Sequence, residues 1–405
     1  MKKSLVLVFA LFTFQVPFAQ KNFEWEIGDN TSIRFTSLLE LSNGDILVTS
    51  AYQDKLTKLT LISQDGEILN EGYINIDSLN ITIHKIVSIE NEQKFLLIGS
   101  SQVIEASSEN RQYLVTCQID ANFEPLQYNV KEFDVKGYLF NMNYFKQNDD
   151  TIFMSINVYS ASLGEDSEQV FALLNKKGEV VKSTIDIGFN CYSIIESEGG
   201  YDCMGVNIKK FSKGFDYISK NEEYIKIFVP TNQHKAVRLG KNKILVGSIS
   251  PQIDNEFQAA LYLVDNNIKV QKYNGIYSWI APTLPGNVFD IAPDSSVFLA
   301  NFKSLPIGIP DSFALAKFDI NLNKIWEIRY GNMGLYTYSL WGMEATIDNG
   351  VLIYGRRTIR GGSIPHGYLI KFNSEGNIVW THNVPKDAFL YRLIPIPLRE
   401  NLHSR

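Results

Sequence analysis

The chain has 405 residues, 45% of them hydrophobic, 12% aromatic and 20% charged, and its 38 Lys+Arg against 44 Asp+Glu leave a net charge of −6. That apolar fraction excludes a disordered polymer, and the acidic balance excludes the basic footprint of a nucleic-acid binder. Three cysteines are too few for a disulfide-stapled scaffold.

Residues 1–19 read as an export signal. Lys2 and Lys3 form a charged start, Leu5 to Phe14 an apolar stretch, and Ala19 a small residue before a cut. These ten residues, Thr13 the one polar member, span only about 15 Å as a helix, half of a hydrocarbon core, so no transmembrane anchor is expected here or later. Next comes Asn22-Phe23-Glu24-Trp25-Glu26-Ile27-Gly28. It resembles a fourth strand, Trp25-Glu26-Ile27 echoing Trp326-Glu327-Ile328, that joins the last repeat and closes a ring; the alternative is a free-standing edge strand before the first unit.

From residue 36 onward, short β-branched and aromatic runs alternate with polar turns, and helical periodicity is absent. One run recurs, beginning at Ile46, Phe95, Ile152, Tyr201, Ile244, Val297 and Val351, at a mean spacing of about 51 residues. Each run follows a polar or Gly turn such as Ser42-Asn43-Gly44-Asp45 or Asp348-Asn349-Gly350, and a half-apolar strand precedes that turn. A third strand and a tight turn follow, as in Gln64-Asp65-Gly66-Glu67 and Ser374-Glu375-Gly376-Asn377, and then a fourth strand. The last two units match at an offset of 54: Leu315/Leu369, Lys317/Lys371, Phe318/Phe372, Asn323/Asn377 and Trp326/Trp380.

Four strands per unit, seven times over, predict an all-β ring of four-stranded meanders, a seven-bladed β-propeller over 20–385, with six or eight blades as the neighbouring counts. A pair of β-sandwiches is the competing architecture, but Greek keys do not repeat one strand–turn grammar. The fourth unit is short and irregular around Lys209 to Lys220. Within it, a turn near Glu198-Gly199 places Cys203 opposite Ile194 and not opposite Cys191, so Cys117, Cys191 and Cys203 are expected as buried thiols. Trp326 and Trp380 are read as blade-to-blade packing.

The run 348–355 (DNGVLIYG) followed by 367–380 (GYLIKFNSEGNIVW) resembles propeller repeats common in secreted proteins of Bacteroidota. The resemblance covers nearly all of 36–385 and implies a fold and an exported setting. Ile394-Pro395-Ile396-Pro397-Leu398 resembles the opening of a type IX secretion sorting domain, with Ile394 and Ile396 where that pattern has Tyr and Asn. Segment 386–405 is therefore a linker or a remnant of such a domain.

No strong catalytic signature emerges. The five histidines show no helical zinc spacing, and G-x-S-x-G, C-x-x-C and P-loop patterns are missing, so no cofactor and no metal are expected. Candidates for a channel mouth are His84 and His234 at the starts of two inner strands, His366 in the loop after Gly361, and Tyr336, Tyr338 and Trp341 on one aromatic inner strand. The expected role is a binding or scaffold module for a protein or glycan at the cell surface or outside the cell, the exported chain being secreted, periplasmic or surface-bound. The alternative is a glycan hydrolase or lyase with its site at the channel mouth, and a third is an oligomeric cell-surface structural protein.

Overall fold

The computed structural model describes residues 21–23 and, apart from short internal segments, 34–382. The expected export signal 1–19, Trp25 to Ile27, His234 and the tail 386–405 lie outside the described residues. Every regular element among the described residues is a β-strand.

A short strand, β1 (Lys21–Phe23), precedes seven four-stranded meanders. Blade 1 holds β2 (Arg34–Glu40), β3 (Ile46–Tyr52), β4 (Leu56–Ile62) and β5 (Ile68–Ile74). Blade 2 holds β6 (Ile81–Ile89), β7 (Lys94–Ile104), β8 (Asn110–Asp120) and β9 (Pro125–Phe133). Blade 3 holds β10 (Tyr138–Lys146), β11 (Thr151–Tyr159), β12 (Glu168–Asn175) and β13 (Val180–Ile187). Blade 4 holds β14 (Cys191–Ser197), β15 (Gly200–Gly205), β16 (Ile208–Ser212) and β17 (Tyr217–Asn221). Blade 5 holds β18 (Lys235–Leu239), β19 (Lys243–Ile253), β20 (Glu256–Asp265) and β21 (Val270–Ser278). Blade 6 holds β22 (Phe289–Ile291), β23 (Val297–Ser304), β24 (Pro310–Phe318) and β25 (Lys324–Gly331). Blade 7 holds β26 (Tyr336–Ala345), β27 (Val351–Ile359), β28 (Pro365–Phe372) and β29 (Ile378–His382). The chain is thus a seven-bladed β-propeller.

The tight turns share one construction, which explains the recurrence of Asn, Asp and Ser before them. At the third-to-fourth-strand turn, a side-chain oxygen accepts the backbone N–H four residues on. This bond runs from Glu67 to Ser63 (2.9 Å), Glu124 to Asp120 (2.9 Å), Glu179 to Asn175 (3.0 Å), Asp216 to Ser212 (2.9 Å), Asn323 to Asp319 (2.8 Å) and Asn377 to Asn373 (2.8 Å). The residue just before that N–H has positive φ in five of these turns: Gly66, Phe123, Gly178, Leu322 and Gly376. Phe123 and Leu322 replace the favoured glycine because both side chains are buried between blades.

Burial follows the ring. Seven apolar clusters form, one at each blade-to-blade interface. The cluster between blades 7 and 1 joins Leu352, Tyr354, Leu369 and Trp380 to Leu38, Ile46, Val48 and Ile62, so the first and last blades pack as any other pair. Dividing the core in this way lets one domain of this length avoid a single oversized interior.

Closure differs in detail from the sequence expectation. β1 is a fifth strand, parallel to β29, with Lys21, Asn22 and Phe23 opposite Trp380, Thr381 and His382. Blade 7 already has its own fourth strand in β29, so the N-terminal segment covers that strand's free edge and does not supply it. Blade 4 has the shortest outer pair, β16 and β17, each of five residues, which accounts for the irregularity around Lys209. Ile194 stands opposite Cys203 and Cys191 opposite Gly205, as the turn position predicts, and all three cysteines are buried free thiols.

Candidate functional site

The innermost strands β2, β6, β10, β14, β18, β22 and β26 each form one edge of a blade and surround the axis. At the end of the ring where first strands turn into second strands, charged side chains of five blades gather around Glu344. Glu344 on β26 feels Lys85 of β6, Asp290 of β22, Lys235 of β18 and Glu40 of β2. Burial is the main influence and pushes its carboxyl up to about 7, with the lysines opposing the rise and the two acids adding to it.

Several members are fixed by hydrogen bonds. The Lys235 ammonium bonds Asp290 Oδ1 at 2.7 Å and the Phe289 carbonyl at 3.1 Å. Asp290 Oδ2 accepts the Ala345 N–H at 2.8 Å, and Glu40 Oε2 accepts the Ile347 N–H at 2.6 Å. The backbone leaving β26 is thereby held from both neighbouring blades. Glu40 is also pushed up to about 7, by burial first, with Lys371 and the Ile347 N–H opposing. Adjacent turns are tied together as well: Ser42 donates twice to Glu92 at 2.7 Å, and the Asp294 N–H bonds Asn349 Oδ1 at 2.9 Å. Two carboxyl groups held near neutrality can give or take a proton at physiological pH, and the lysines can meet an anionic or polar group.

The structure distributes the sequence candidates elsewhere. His84 is the fourth residue of β6 and not its first; it sits at the bulge between Ile83 and Lys85, with Nε2 2.8 Å from Ser100 Oγ of the same blade. His366 belongs to β28 and not to a loop, paired with Arg357 of β27, because the strand begins at Pro365. Tyr336, Tyr338 and Trp341 lie on β26, as expected of an inner strand. Tyr338 is 1% exposed and packs between blades 6 and 7. Tyr336, Tyr338 and His366 lie toward the end of the ring opposite Glu344, and His84 and Glu344 are at different strand depths.

Sequence reasoning missed Glu40, Lys85, Lys235, Asp290 and Glu344. One signal was available. Asp290 and Glu344 are 54 residues apart, the offset at which the last two units match, and each is one residue inside the end of its inner strand. An acid repeated at the same inner-strand depth in two successive units is that signal.

Among the described residues no group of three or more His, Cys, Asp or Glu is arranged to hold a metal ion. No helix among them is long and apolar enough to cross a membrane. No family model matches the chain, and no curated protein matches it. Similar solved structures include a protein of unknown function from Bacteroides caccae (11% identity, covering 67% of this chain and 89% of that one, TM-score 0.38). They also include Hsv2 from Kluyveromyces lactis (8%, 86% and 97%, TM-score 0.43) and the WD40 domain of SCAP from fission yeast (8%, 79% and 82%, TM-score 0.38). Likeness at this level carries no argument about role; the propeller is read from its own strand pairing.

Proposed function

We propose that the chain is an exported binding module that engages a protein or glycan at the end of the channel where Glu40, Lys85, Lys235, Asp290 and Glu344 meet. The observation carrying this reading is the convergence of charged residues from five blades around Glu344. A ring gathers such residues without any being neighbours in sequence, and polar groups at a concave centre are how propellers create selectivity from a repeated frame. Asp290, Lys235 and Glu40 are already engaged with neighbouring blades, which suits a preorganised recognition surface. Export rests on the leader sequence at 1–19.

The test is a screen of the purified protein against soluble polysaccharides and secreted proteins, with binding and turnover measured side by side. Saturable binding without turnover, weakened at least tenfold by Lys85→Ala, is the expected result. The second reading, a glycan hydrolase, is favoured by one observation: Glu40 and Glu344 are both held at about 7, where a carboxyl can serve as a general acid. Turnover that disappears in Glu344→Gln would establish that reading instead.

A further inference from the structure

At the opposite end of the ring, between blades 6 and 7, lies a second polar group with no part in the channel charges. Tyr338 of β26 and Arg357 of β27 are direct cross-strand partners. Tyr368 of β28 lies one strand farther out, with its ring centroid 5.8 Å from that of Tyr338 in an edge-on arrangement. Tyr330 of β25 completes the group from blade 6, 6.3 Å from Tyr338 and also edge-on. All four side chains are buried: Tyr368 0% exposed, Tyr338 1%, Tyr330 7% and Arg357 7%.

We infer that Tyr330, Tyr338, Tyr368 and Arg357 form a binding site for an oxyanion group, a carboxylate or sulfate, held between blades 6 and 7. The group brings three phenolic donors and a guanidinium into one apolar interface walled by Phe313 and Phe372. The Tyr368 hydroxyl is fully buried and has no hydrogen-bond partner among the described residues. A buried donor in that position is costly unless something accepts from it. An oxyanion is the acceptor that suits the set: it takes several O–H bonds at once and pairs with a guanidinium through two parallel bonds. Burial and mutual repulsion push Tyr330 and Tyr368 above the ordinary phenol range, so both remain protonated donors. The same chemistry serves a free ion or an acidic sugar. This site stands apart from the channel-end reading and can fail without it.

Thermal unfolding with sodium acetate, sodium sulfate and sodium glucuronate, each at matched ionic strength against sodium chloride, tests the inference on wild type, Tyr368→Phe and Arg357→Met. The expected result is a saturable rise in Tm with at least one of these salts, with the apparent affinity lowered tenfold or more in both variants. A response to glucuronate alone identifies a sugar-borne acid; a response to acetate or sulfate identifies a free ion. Tyr368→Phe keeps the ring and deletes only the buried hydroxyl, so it retains the fold if Arg357→Met does not. Identical behaviour of wild type and Tyr368→Phe in all three salts, whether as a shared rise or as none, would overturn the proposal.

Discussion

The Trp380 indole donates to the Gln64 carbonyl at 3.1 Å, joining the last blade to the first across 316 positions of sequence. Trp326 makes the same bond one unit earlier, to the Ser374 carbonyl of blade 7, also at 3.1 Å. Each indole covers the glycine of the tight turn it bonds. A Cβ on Gly66 would stand 2.8 Å from Trp380 Cγ, and one on Gly376 would stand 3.3 Å from the Trp326 ring. Other blades reach the corresponding turn of the next blade with different donors, such as Thr116 to the Gly178 carbonyl (2.8 Å) and Asn274 to the Leu322 carbonyl (3.0 Å).

Trp380→Phe removes that bond and leaves a void at the closing interface, for an expected loss of about 2 kcal/mol. Gly66→Ala adds a clash at a φ of +86° and should cost at least as much. Urea unfolding midpoints check both. A midpoint unchanged in either variant would mean that ring closure does not limit stability.

An ion pair between a buried lysine and a partly exposed aspartate repeats with the same 54-residue period. Lys371, 2% exposed, bonds Asp348 Oδ1 at 2.9 Å and the Thr346 hydroxyl, while Lys317 bonds Asp294 at 3.3 Å. Asp348→Ala leaves an uncompensated ammonium in the interior and should cost about 3 kcal/mol, most of it recovered by adding Lys371→Met. A double variant as unstable as the single one would remove the electrostatic explanation.

The raised carboxyls make stability depend on pH in a definite direction. Glu40 and Glu344 have ordinary values of 4.5 and folded values of about 7, so the folded state holds more protons between those limits. Their contribution is complete below about pH 4.5 and is lost as pH rises to about 7. Buried His382 acts oppositely: lowered from 6.5 to about 4, it contributes above pH 6.5 and loses that contribution as pH falls toward 4. Glu344→Gln should therefore reduce the fall in stability between pH 5 and pH 8 by about 1 kcal/mol. Tm profiles in matched buffers check this, and parallel profiles for wild type and variant would contradict it.

Much of this fold was legible because propeller information is local. The runs starting at Ile46 and Val351, the turn chemistry of Ser63 or Asn373, and the tryptophans at 326 and 380 all declare themselves within one unit, and the period multiplies the signal. The position of Cys203 opposite Ile194 followed from turn geometry alone. The channel charges were illegible for the converse reason. Lys85 and Glu344 are 259 positions apart, and only closure of the ring puts them in one field. Histidines and aromatics drew attention as residue types, whereas the charges around Glu344 are ordinary Glu, Asp and Lys, with Asp290 and Glu344 at one strand depth and Lys85 and Lys235 two pairs deeper. The strand start at Pro365 was hidden because proline and glycine neighbours read as a loop, yet proline is tolerated as the first residue of a strand.

Burial should silence the thiols. Cys117 is pushed up to about 11 and Cys203 well above the usual thiol range, both by burial first. Native protein at pH 8 should show no reaction with a disulfide thiol reagent over minutes, and denatured protein should show three thiols. Rapid reaction of any thiol in native protein would contradict the packing of blade 4 or blade 2.

The charged end of the channel is proposed to recognise a ligand. The most direct measurement compares wild type, Lys85→Ala and Glu344→Gln for binding to the strongest ligand from the polysaccharide and protein screen, by titration calorimetry at low and at physiological salt. The expected result is saturable wild-type binding, weakened at least tenfold by Lys85→Ala and changed by Glu344→Gln, with no product formed. Equal affinity in all three proteins would contradict it.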